Sequence, residues 1–285
     1  MRLKRRLGLW YIYFFTFIFK LKKLHHTKHI HCNSEKTTNN RQIDIITVAF
    51  NNETFIEYQI KLIQKYATDP NIHFIVADNS SSSQKRQKIY ELCHKNQIGY
   101  ISLPHTLIAK YPGGSYIHGT VLNWLYYNVI KIRQPYIFGF LDHDLFPIAP
   151  FSILEKLKNQ DFYGRIREQG NKWWLWAGLC FFKYEKIKHL PLDFIPYMED
   201  NLYLDTGGAN YPILYKNYDL QKLVLPIAQN IPISDGNDYH TDYIQKIEDC
   251  WLHMINGSNW KGISAKSQQI KNDMIQEKLN RIFET

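Results

Sequence analysis

Two aspartates separated by one residue are the side chains in this sequence with the clearest capacity for chemistry. The largely apolar run Ile137–Leu141 ends at Asp142, His143 and Asp144, and prolines flank the segment on both sides. Those prolines favour a strand that stops here over a helix that continues. At the end of a strand, carboxylates at positions i and i+2 can converge on one point. Such a pair favours Mg²⁺ or Mn²⁺, which take further ligands from substrate phosphates; a solvated turn is the alternative.

The elements that would position these carboxylates alternate between strands and helices. A β-branched segment, an amphipathic helix, a second apolar segment, a second helix and a third short strand follow one another at close spacing. This order predicts an α/β fold with a mostly parallel central sheet and helices on both faces. The predicted elements are strand 43–50, helix 53–66, strand 73–77, a helix ending near residue 96, and strand 98–103.

Polar residues follow each of the predicted strands. Asn51 follows the first strand, Asp78 and Asn79 follow the second, and Asp142 ends the later one. In a parallel sheet, ligands bind outside the carboxyl ends of the strands, so these residues are expected at one edge. The sequence contains neither GxGxxG nor GxxxxGK[ST], so neither a dinucleotide site of that type nor a P-loop is indicated.

Three further sites each allow two interpretations. His118 begins a helix after a Gly-Gly-Ser segment and is either a surface residue beside the helix cap or a nucleotide contact. Trp174 and Trp176 lie in an apolar strand and are either core residues or a platform on which a sugar stacks. Asp205 precedes a Gly pair, where it serves as a pocket carboxylate, a helix cap or both.

Charge and cysteine content exclude several classes of protein. The chain has 285 residues and a formal charge of +9. Of its 35 Lys and Arg residues, eight lie within residues 1–31, which contain no acid, so the remaining 27 face 26 Asp and Glu. A nearly neutral body lacks the basic face that nucleic-acid binding requires. The four cysteines are widely separated, which favours free thiols in a reducing compartment over a zinc or disulfide site.

The basic N-terminal segment has its own pattern. Gly8–Phe19 is rich in aromatic residues and is flanked by Lys and Arg, but a spanning helix needs about 20 apolar residues. The pattern favours association with an anionic membrane surface through residues 1–31, with a short signal-anchor or a packed tail as alternatives. We therefore predict a cytoplasmic protein at the membrane periphery. The predicted divisions are a tail and linker (1–42), one α/β domain (43–263) and a terminal amphipathic helix (264–285).

Six segments taken in order resemble the GT-A glycosyltransferases, in particular the family 2-like enzymes of surface polysaccharide assembly. The segments span roughly residues 43 to 260: IITVAFNNE, FIVADNSSS, YIFGFLDHD, WWLWAGLCFF, LDTGG and WLHMINGSNW. The resemblance implies the GT-A fold, a nucleotide-diphosphate sugar donor and a hydroxyl of a glycan or lipid-linked acceptor. It also implies Mn²⁺ or Mg²⁺ as cofactor, and direct displacement would invert the anomeric carbon.

The resemblance also implies roles for individual residues. Asp142 and Asp144 match the DxD motif, which ligates the metal on the donor diphosphate, and His253 lies where a third ligand is found. Asp78 matches the acid that contacts the nucleotide base. Asn51, on the loop that lines the nucleotide, is a predicted donor contact together with Asn79, His118 and Asp142.

The catalytic base that the resemblance implies has two candidates. Asp205 lies where the family places its base, but the local sequence is Asp-Thr-Gly-Gly instead of an acidic pair. Such a pair, Glu199 and Asp200, lies just upstream. Trp174 and Trp176 are the candidates for acceptor binding.

Two other functions are alternatives to sugar transfer. A sugar-phosphate nucleotidyltransferase usually carries a Gly-rich, basic loop after the first strand, where this chain has Asn51-Asn52-Glu53. A protein of the same fold that binds nucleotide sugars or glycans without catalysis is the second alternative.

Overall fold

The structure is a computed structural model that describes residues 41–103, 114–233, 242–255 and 265–284. The predicted membrane-binding segment and nearly all of the linker lie outside these residues. Among the described helices, none combines the length and the apolar character needed to cross a membrane.

The main sheet has six strands in the order β3-β2-β1-β4-β7-β6. The first four in this order are parallel, and the last two are antiparallel to their neighbours. The predicted α/β class with a mostly parallel sheet is therefore confirmed. The strands are β1 (Ile43–Ala49), β2 (Ile72–Asp78), β3 (Gly99–Ser102), β4 (Ile137–Asp142), β6 (Phe162–Gln169) and β7 (Lys172–Lys183).

A second, antiparallel sheet begins three residues after β4 and has the order β10-β11-β12-β5. A separate two-stranded hairpin joins β8 to β9. The strands are β5 (Leu145–Pro147), β8 (Tyr197–Glu199), β9 (Leu202–Leu204), β10 (Ala228–Ile233), β11 (Asp242–Ile247) and β12 (Trp251–His253).

The described helices cover the sheets. The third of them, Gly114–Leu125, is prolonged by a π-helical turn (Tyr126–Ile130) and a last helical turn (Lys131–Arg133). The helices are α1 (Glu53–Tyr66), α2 (Ser83–Lys95), α3 (Gly114–Leu125), α4 (Ile153–Lys156), α5 (Tyr184–Ile187), α6 (Asn210–Ile213) and α7 (Ala265–Glu284).

The alternation of side chains along β1 explains why helices cover both faces of the main sheet. Ile43 and Ile45 pack into the apolar cluster that contains Ile56 and Ile60 of α1. The next residue, Ile46, belongs to the cluster that holds apolar side chains of α3 on the opposite face. Since successive strand residues point to opposite faces, a strand buried on both sides must be apolar throughout, as β1 largely is.

The helix predicted over residues 264–285 is present as α7 and completes the second sheet. Ile275 and Leu279 of α7 pack with Ile244 of β11 and Leu252 of β12 in a third apolar cluster. Lys65 of α1 also donates a hydrogen bond from Nζ to a backbone carbonyl of α7, at 2.6 Å. The helix thus supports the sheet from which a site residue projects.

A buried ion pair lies inside the main sheet, where Asp44 is fully buried. Asp44 of β1 accepts hydrogen bonds from Arg133, from Nε to Oδ2 at 2.6 Å and from Nη2 to Oδ1 at 3.1 Å. Burial acts to raise the pKa of Asp44, but His73 and Arg133 outweigh it and hold this pKa below its usual value. The carboxylate is therefore ionised and depends on Arg133 for compensation.

Replacing Arg133 is expected to destabilise the fold. Arg133→Met leaves Asp44 buried without its main partner, and such losses cost about 3–5 kcal/mol of unfolding free energy. Because the pKa of Asp44 is lower in the folded state, its contribution is complete at neutral pH and is lost as the pH falls. Urea denaturation at pH values from about 2 to 8 measures both effects, since the loss falls below the usual pKa of an aspartate. Arg281→Met, which removes an exposed arginine of α7, is the control; equal losses in the two variants would contradict the prediction.

Candidate active site

The turn that follows β4 holds the two aspartates in a fixed position. Gln59, fully buried on α1, donates hydrogen bonds from its Nε2 to the carbonyls of Asp142 (2.7 Å) and Leu145 (2.8 Å). His143 lies between the aspartates with its Nδ1 3.2 Å from the carbonyl of Val48 on β1. The turn is therefore tied to both of the elements beneath it.

Strand pairing brings His253 to this turn. β12 pairs with β5 so that His253 lies opposite Leu145, and the Met254 backbone donates a hydrogen bond to the carbonyl of Asp144 at 3.0 Å. As a result His253 Nε2 is 3.5 Å from Asp144 Oδ1, and both side chains are buried. His253, which the resemblance implies as a third metal ligand, therefore lies beside the aspartates.

A glutamine fixes the orientation of the His253 ring. Gln245 of β11 donates a hydrogen bond from its Nε2 to Asn230 Oδ1 at 2.6 Å, and its Oε1 lies 3.3 Å from His253 Nδ1. Since an amide oxygen only accepts, this contact calls for a proton on Nδ1, and Nε2 is the ring nitrogen directed at Asp144. Metal-binding histidines are commonly oriented through their second nitrogen in this way.

The three side chains fit a divalent cation. Asp142, Asp144 and His253 can each offer a ligand atom, and these atoms lie within 4.8 Å of one another. Two carboxylate oxygens with one imidazole suit Mn²⁺ or Mg²⁺, and the remaining positions would be open to water or substrate oxygens. The arrangement therefore supports a metal site.

The charges at this point are unfavourable without a cation. Burial and then the neighbouring Asp144 raise the pKa of Asp142 to about 7. Burial also lowers the pKa of His118 to about 4, against the opposing charges of Asp205 and Asp144. His118 is therefore neutral at physiological pH and does not compensate the aspartates, although its Nε2 lies 3.5 Å from Asp142 Oδ1.

A cavity of about 460 Å³ opens above the aspartates, within the size range typical of small-molecule sites. It collects residues from the ends of β1, β2, β4 and β12, from the start of α3, and from β6, β7 and the loop after β9. Its walls are formed by Val48, Phe50, Asn79, Gly114, Ser115, Ile117, His118, Asp142, His143, Asp144, Arg167, Trp176, Asp205, Thr206, His253 and Ile255.

Asp205 faces the cavity from a tightly anchored loop. Thr206 donates a hydrogen bond to the carbonyl of Ser115 on α3 at 3.2 Å, and Gly207 donates one to Phe194 at 2.7 Å. Gly207 has a φ of 90°, and a Cβ there would lie 2.9 Å from the Leu175 carbonyl. Only glycine suits such a position, so the Asp-Thr-Gly-Gly sequence is explained by the backbone that presents Asp205.

Asp200 lies elsewhere. It sits at the tip of the β8–β9 hairpin with 76% of its side chain exposed, and it accepts a hydrogen bond from Lys172 at 2.9 Å. Asp200 does not line the cavity. Of the two candidate bases, geometry therefore brings only Asp205 together with the metal-site residues.

The residues predicted to contact the nucleotide take different positions. Asn79 and His118 line the cavity, whereas Asn51 and Asp78 do not. Asp78 is fully buried and accepts hydrogen bonds from the Ser80 backbone and from the Tyr100 hydroxyl. Its carboxylate thus holds the loop after β2.

Asn51 has a similar tie to that loop. Its backbone donates to Ser80 Oγ at 2.8 Å, and its Oδ1 accepts from the backbone of Ser82 at 3.0 Å. The side chain thereby joins the end of β1 to the end of β2, and any contact with a nucleotide stays a prediction.

The two tryptophans are both largely buried, with 3% and 7% of their surface exposed. Trp174 lies in the core and does not line the cavity. Trp176 reaches the cavity wall and packs against His253, with 4.5 Å between ring centroids. The role of Trp176 as a surface on which a sugar stacks stays a prediction. In the structure Trp176 contacts His253, a candidate metal ligand.

Sequence reasoning missed several residues of the site. Gln59 is the one polar residue in the buried stripe of α1, beside Ile56, Ile60 and Ile63, and this exception was the available signal. Arg167 follows Arg165 by two residues in the sequence, but only the folded sheet shows that it reaches the cavity. Gln245 and Asn230 gave no recognisable local pattern.

Comparison with known proteins gives a likeness only at the level of solved structures. No protein-family profile matches the chain, and no curated protein matches it. The galactosyltransferase LgtC in complex with donor and acceptor sugar analogs matches over 50% of this chain and 58% of its own, at 18% identity and a TM-score of 0.38.

Two other glycosyltransferase structures match in a similar way. The mannosyltransferase PcManGT from Pyrobaculum calidifontis, in complex with GDP-Man and Mn²⁺, matches over 65% of this chain and 55% of its own, at 13% identity and a TM-score of 0.36. The bifunctional glycosyltransferase WbbM matches over 54% of this chain and 34% of its own, at 12% identity and a TM-score of 0.35. Each of these alignments thus covers less than two thirds of the solved chain.

The crowded carboxylates lead to a test by thermal unfolding. The raised pKa of Asp142 means that the metal-free folded state holds an extra proton between about pH 4 and pH 7, so its stability falls as the pH rises through that window. Asp142→Asn should remove part of this fall in EDTA. Mn²⁺ at pH 8 should raise the Tm of the wild type but not that of the variant.

The matched control is Asp249→Asn, since Asp249 is an exposed aspartate in the turn between β11 and β12 and does not line the cavity. It should keep both the pH dependence and the Mn²⁺ response of the wild type. An unchanged Mn²⁺ response in Asp142→Asn would show that Asp142 is not a ligand.

Proposed function

We propose that this protein is a metal-dependent glycosyltransferase of the hexosyltransferase type. It would move a sugar from a nucleotide-diphosphate donor to a hydroxyl of a glycan or lipid-linked acceptor, with inversion at the anomeric carbon. The observation that carries the proposal is the convergence of Asp142, Asp144 and His253 in a cavity that also presents Asp205.

The ligand set would hold Mn²⁺ or Mg²⁺ against the donor diphosphate, where the bound ion would supply Lewis-acid stabilisation of the leaving group. The nucleotide would extend along the ends of β1 and β2, past Asn79. This side suits a flat base because Phe50 and Val48 line it together with Asn79. His118, neutral and 3.5 Å from Asp142, would keep that carboxylate directed into the cavity.

Asp205 would take the proton of the attacking acceptor hydroxyl. The loop that presents it is anchored to α3 and to Phe194, which holds the loop in the cavity that Asp142 and Asp144 also line. A base on the far side of the sugar from the diphosphate suits a direct displacement with inversion. No described cysteine is needed, because Cys93, Cys180 and Cys250 are buried and none lines the cavity.

The biological setting of the proposal rests on the sequence. The family 2-like motifs favour a role in cell-surface polysaccharide synthesis. The basic, aromatic segment 1–31 favours attachment to the cytoplasmic face of an anionic membrane, which would place the enzyme near a lipid-linked acceptor.

The first experiment identifies the donor and then tests the base. A thermal-shift screen of nucleotide sugars with Mn²⁺ should yield a stabilising donor, since a ligand that binds only the folded state raises Tm. Asp205→Asn should then reduce release of the sugar or its transfer by about 10²–10⁴-fold while leaving the donor-induced shift intact.

Asp200→Asn is the matched control and should keep nearly wild-type activity, since Asp200 lies outside the cavity. The opposite ranking of the two variants would assign the base to Asp200. Stabilisation by a donor with no turnover in the wild type would favour a binding protein, and synthesis of a nucleotide sugar from a sugar phosphate would favour a nucleotidyltransferase.

Attachment to membranes has a separate test. Deletion of residues 1–31 should abolish sedimentation with vesicles that contain anionic lipid and leave activity on a water-soluble acceptor unchanged. Binding of the wild type should also weaken with added salt, since eight positive charges supply the attraction. Equal sedimentation of both proteins would contradict the role of this segment.

A further inference from the structure

Two arginines of β6 have guanidinium nitrogens that are buried without a hydrogen-bond partner among the residues that the structure describes. Arg165 exposes only 7% of its surface, and its Nε and Nη1 have no hydrogen-bond partner; Arg167 Nε is likewise buried and unpartnered. Within the described part of the chain, neither guanidinium forms an ion pair. Burying a charged group is costly unless it is paired, so these donors call for a partner that is not part of the described fold.

Both arginines contact the same tryptophan. The guanidinium carbon of Arg165 lies 5.2 Å from the Trp176 ring centre, and that of Arg167 lies 5.9 Å from it. We call these three residues the Arg–Trp cluster. Cation–π contact offsets part of the desolvation cost and fixes each guanidinium in position. It leaves the N–H groups unused, and a planar guanidinium presents them in a fork that matches a carboxylate or a phosphate.

An irregularity in the sheet places the cluster at the cavity. Gly164 of β6 pairs with Cys180 of β7, whereas Ile166 pairs with Leu175, so β7 carries extra residues opposite Arg165. Bulges of this kind redirect side chains and are common beside active sites. Glycine is required here, because a Cβ on Gly164 would lie 2.2 Å from the Leu179 carbonyl.

The bulge also links the cluster to the proposed metal site. A Cβ on Gly178 would lie 2.2 Å from the Trp176 ring and 2.6 Å from Asp142 Oδ2. Trp176 in turn contacts His253. The Arg–Trp cluster is thus packed against two of the residues proposed to bind the cation.

The cluster lies on the side of the cavity away from the nucleotide wall. In the main sheet, β1 and β2 are on one side of β4, while β7 and β6 are on the other. With about 4.8 Å between strands, β6 is roughly 10 Å from β4 in the direction opposite to Asn79. Arg167 lines this far wall together with Asp205 and Thr206. An anion held here is therefore beside the proposed base.

The charges already present do not replace an external anion. Burial lowers the pKa of Arg167 more than Asp205 and Asp142 raise it. Burial and the neighbouring Arg167 lower the pKa of Arg165 to about 10, so Arg165 still carries a positive charge at neutral pH. In the proposed enzyme Asp142 is also committed to the cation. The far wall thus holds two positive charges with incomplete compensation.

We propose that Arg165, Arg167 and Trp176 form a subsite for a carboxylate or phosphate group carried by the acceptor sugar. Arg167 would contact the anion from the cavity wall, and Arg165 would add the second positive charge from behind the surface. This inference rests on the proposed function, because it takes Asp205 to mark the acceptor side. It identifies the acceptor as an anionic sugar, such as a uronic acid or a sugar phosphate.

The test compares sugars that differ in charge. Full-length protein saturated with Mn²⁺ and the nucleoside diphosphate of its donor is titrated with glucose, glucuronate and glucose 6-phosphate, and binding is followed by saturation-transfer NMR. The wild type should bind at least one of the charged sugars about tenfold or more tightly than glucose, as expected for a charge-assisted hydrogen bond. Arg167→Gln should reduce this preference to below about threefold.

Two variants serve as comparisons. Arg281→Gln changes the charge equally on the exposed face of α7 and should keep the wild-type preference. Arg167→Lys keeps the charge without the fork and should give an intermediate value. A thermal shift by Mn²⁺ and nucleoside diphosphate, measured on each variant, confirms that its fold and donor side are intact.

The possible results separate the sources of the anion. Equal affinity of the wild type for all three sugars overturns the subsite. If Arg167→Gln weakens binding of the nucleoside diphosphate and leaves the sugar preference unchanged, the arginine contacts the donor diphosphate. The assignment to the acceptor is then wrong. A variant that changes only the pH profile of turnover would show that Arg167 acts through Asp205. If no nucleoside diphosphate binds the wild type, the proposed function itself fails.

Discussion

The turn from Asp142 to Leu145 belongs to both sheets at once, and the arrangement of the candidate site depends on this constraint. Asp142 is the last residue of β4, and Leu145 is the first residue of β5. Gln59 donates to the carbonyl groups at both ends of the turn, so neither sheet can shift without breaking a buried hydrogen bond. The hydrogen bonds of the turn backbone therefore fix the points from which the two carboxylates extend.

The same turn concentrates charge that the fold alone does not neutralise. Elsewhere the protein compensates a buried acid fully, as Arg133 does for Asp44. At Asp142, burial and the neighbouring Asp144 outweigh the opposing charges of His253 and His143, and at Arg165, burial acts together with the neighbouring Arg167. Incompletely compensated groups of both signs thus lie at or beside one cavity, a pattern typical of functional sites.

Features of the fold that depend on residues close together in the sequence could be predicted from the sequence. The apolar run before Asp142 and the polar ends of β1 and β2 predicted a sheet edge that the structure contains. Asp200 and Asp205 could not be separated from the sequence, because their difference lies in the hairpin that carries one away from the cavity. Arg165 and Gln59 acquire their roles only through contacts between distant strands and helices. The position of His253 followed from resemblance, since nothing near it in the sequence points to Asp144.

The pairing of β12 with β5 has a consequence for the order in which the protein is made. The carboxylates of β4 are synthesised long before His253, with the whole of β6 to β11 between them. A nascent chain that has completed the parallel strands therefore offers two hard oxygen ligands before His253 is made. Contacts between such distant segments form late in folding. A cation held by all three residues would consequently act as a final latch between the two sheets, and its retention would report that the chain has closed its full topology.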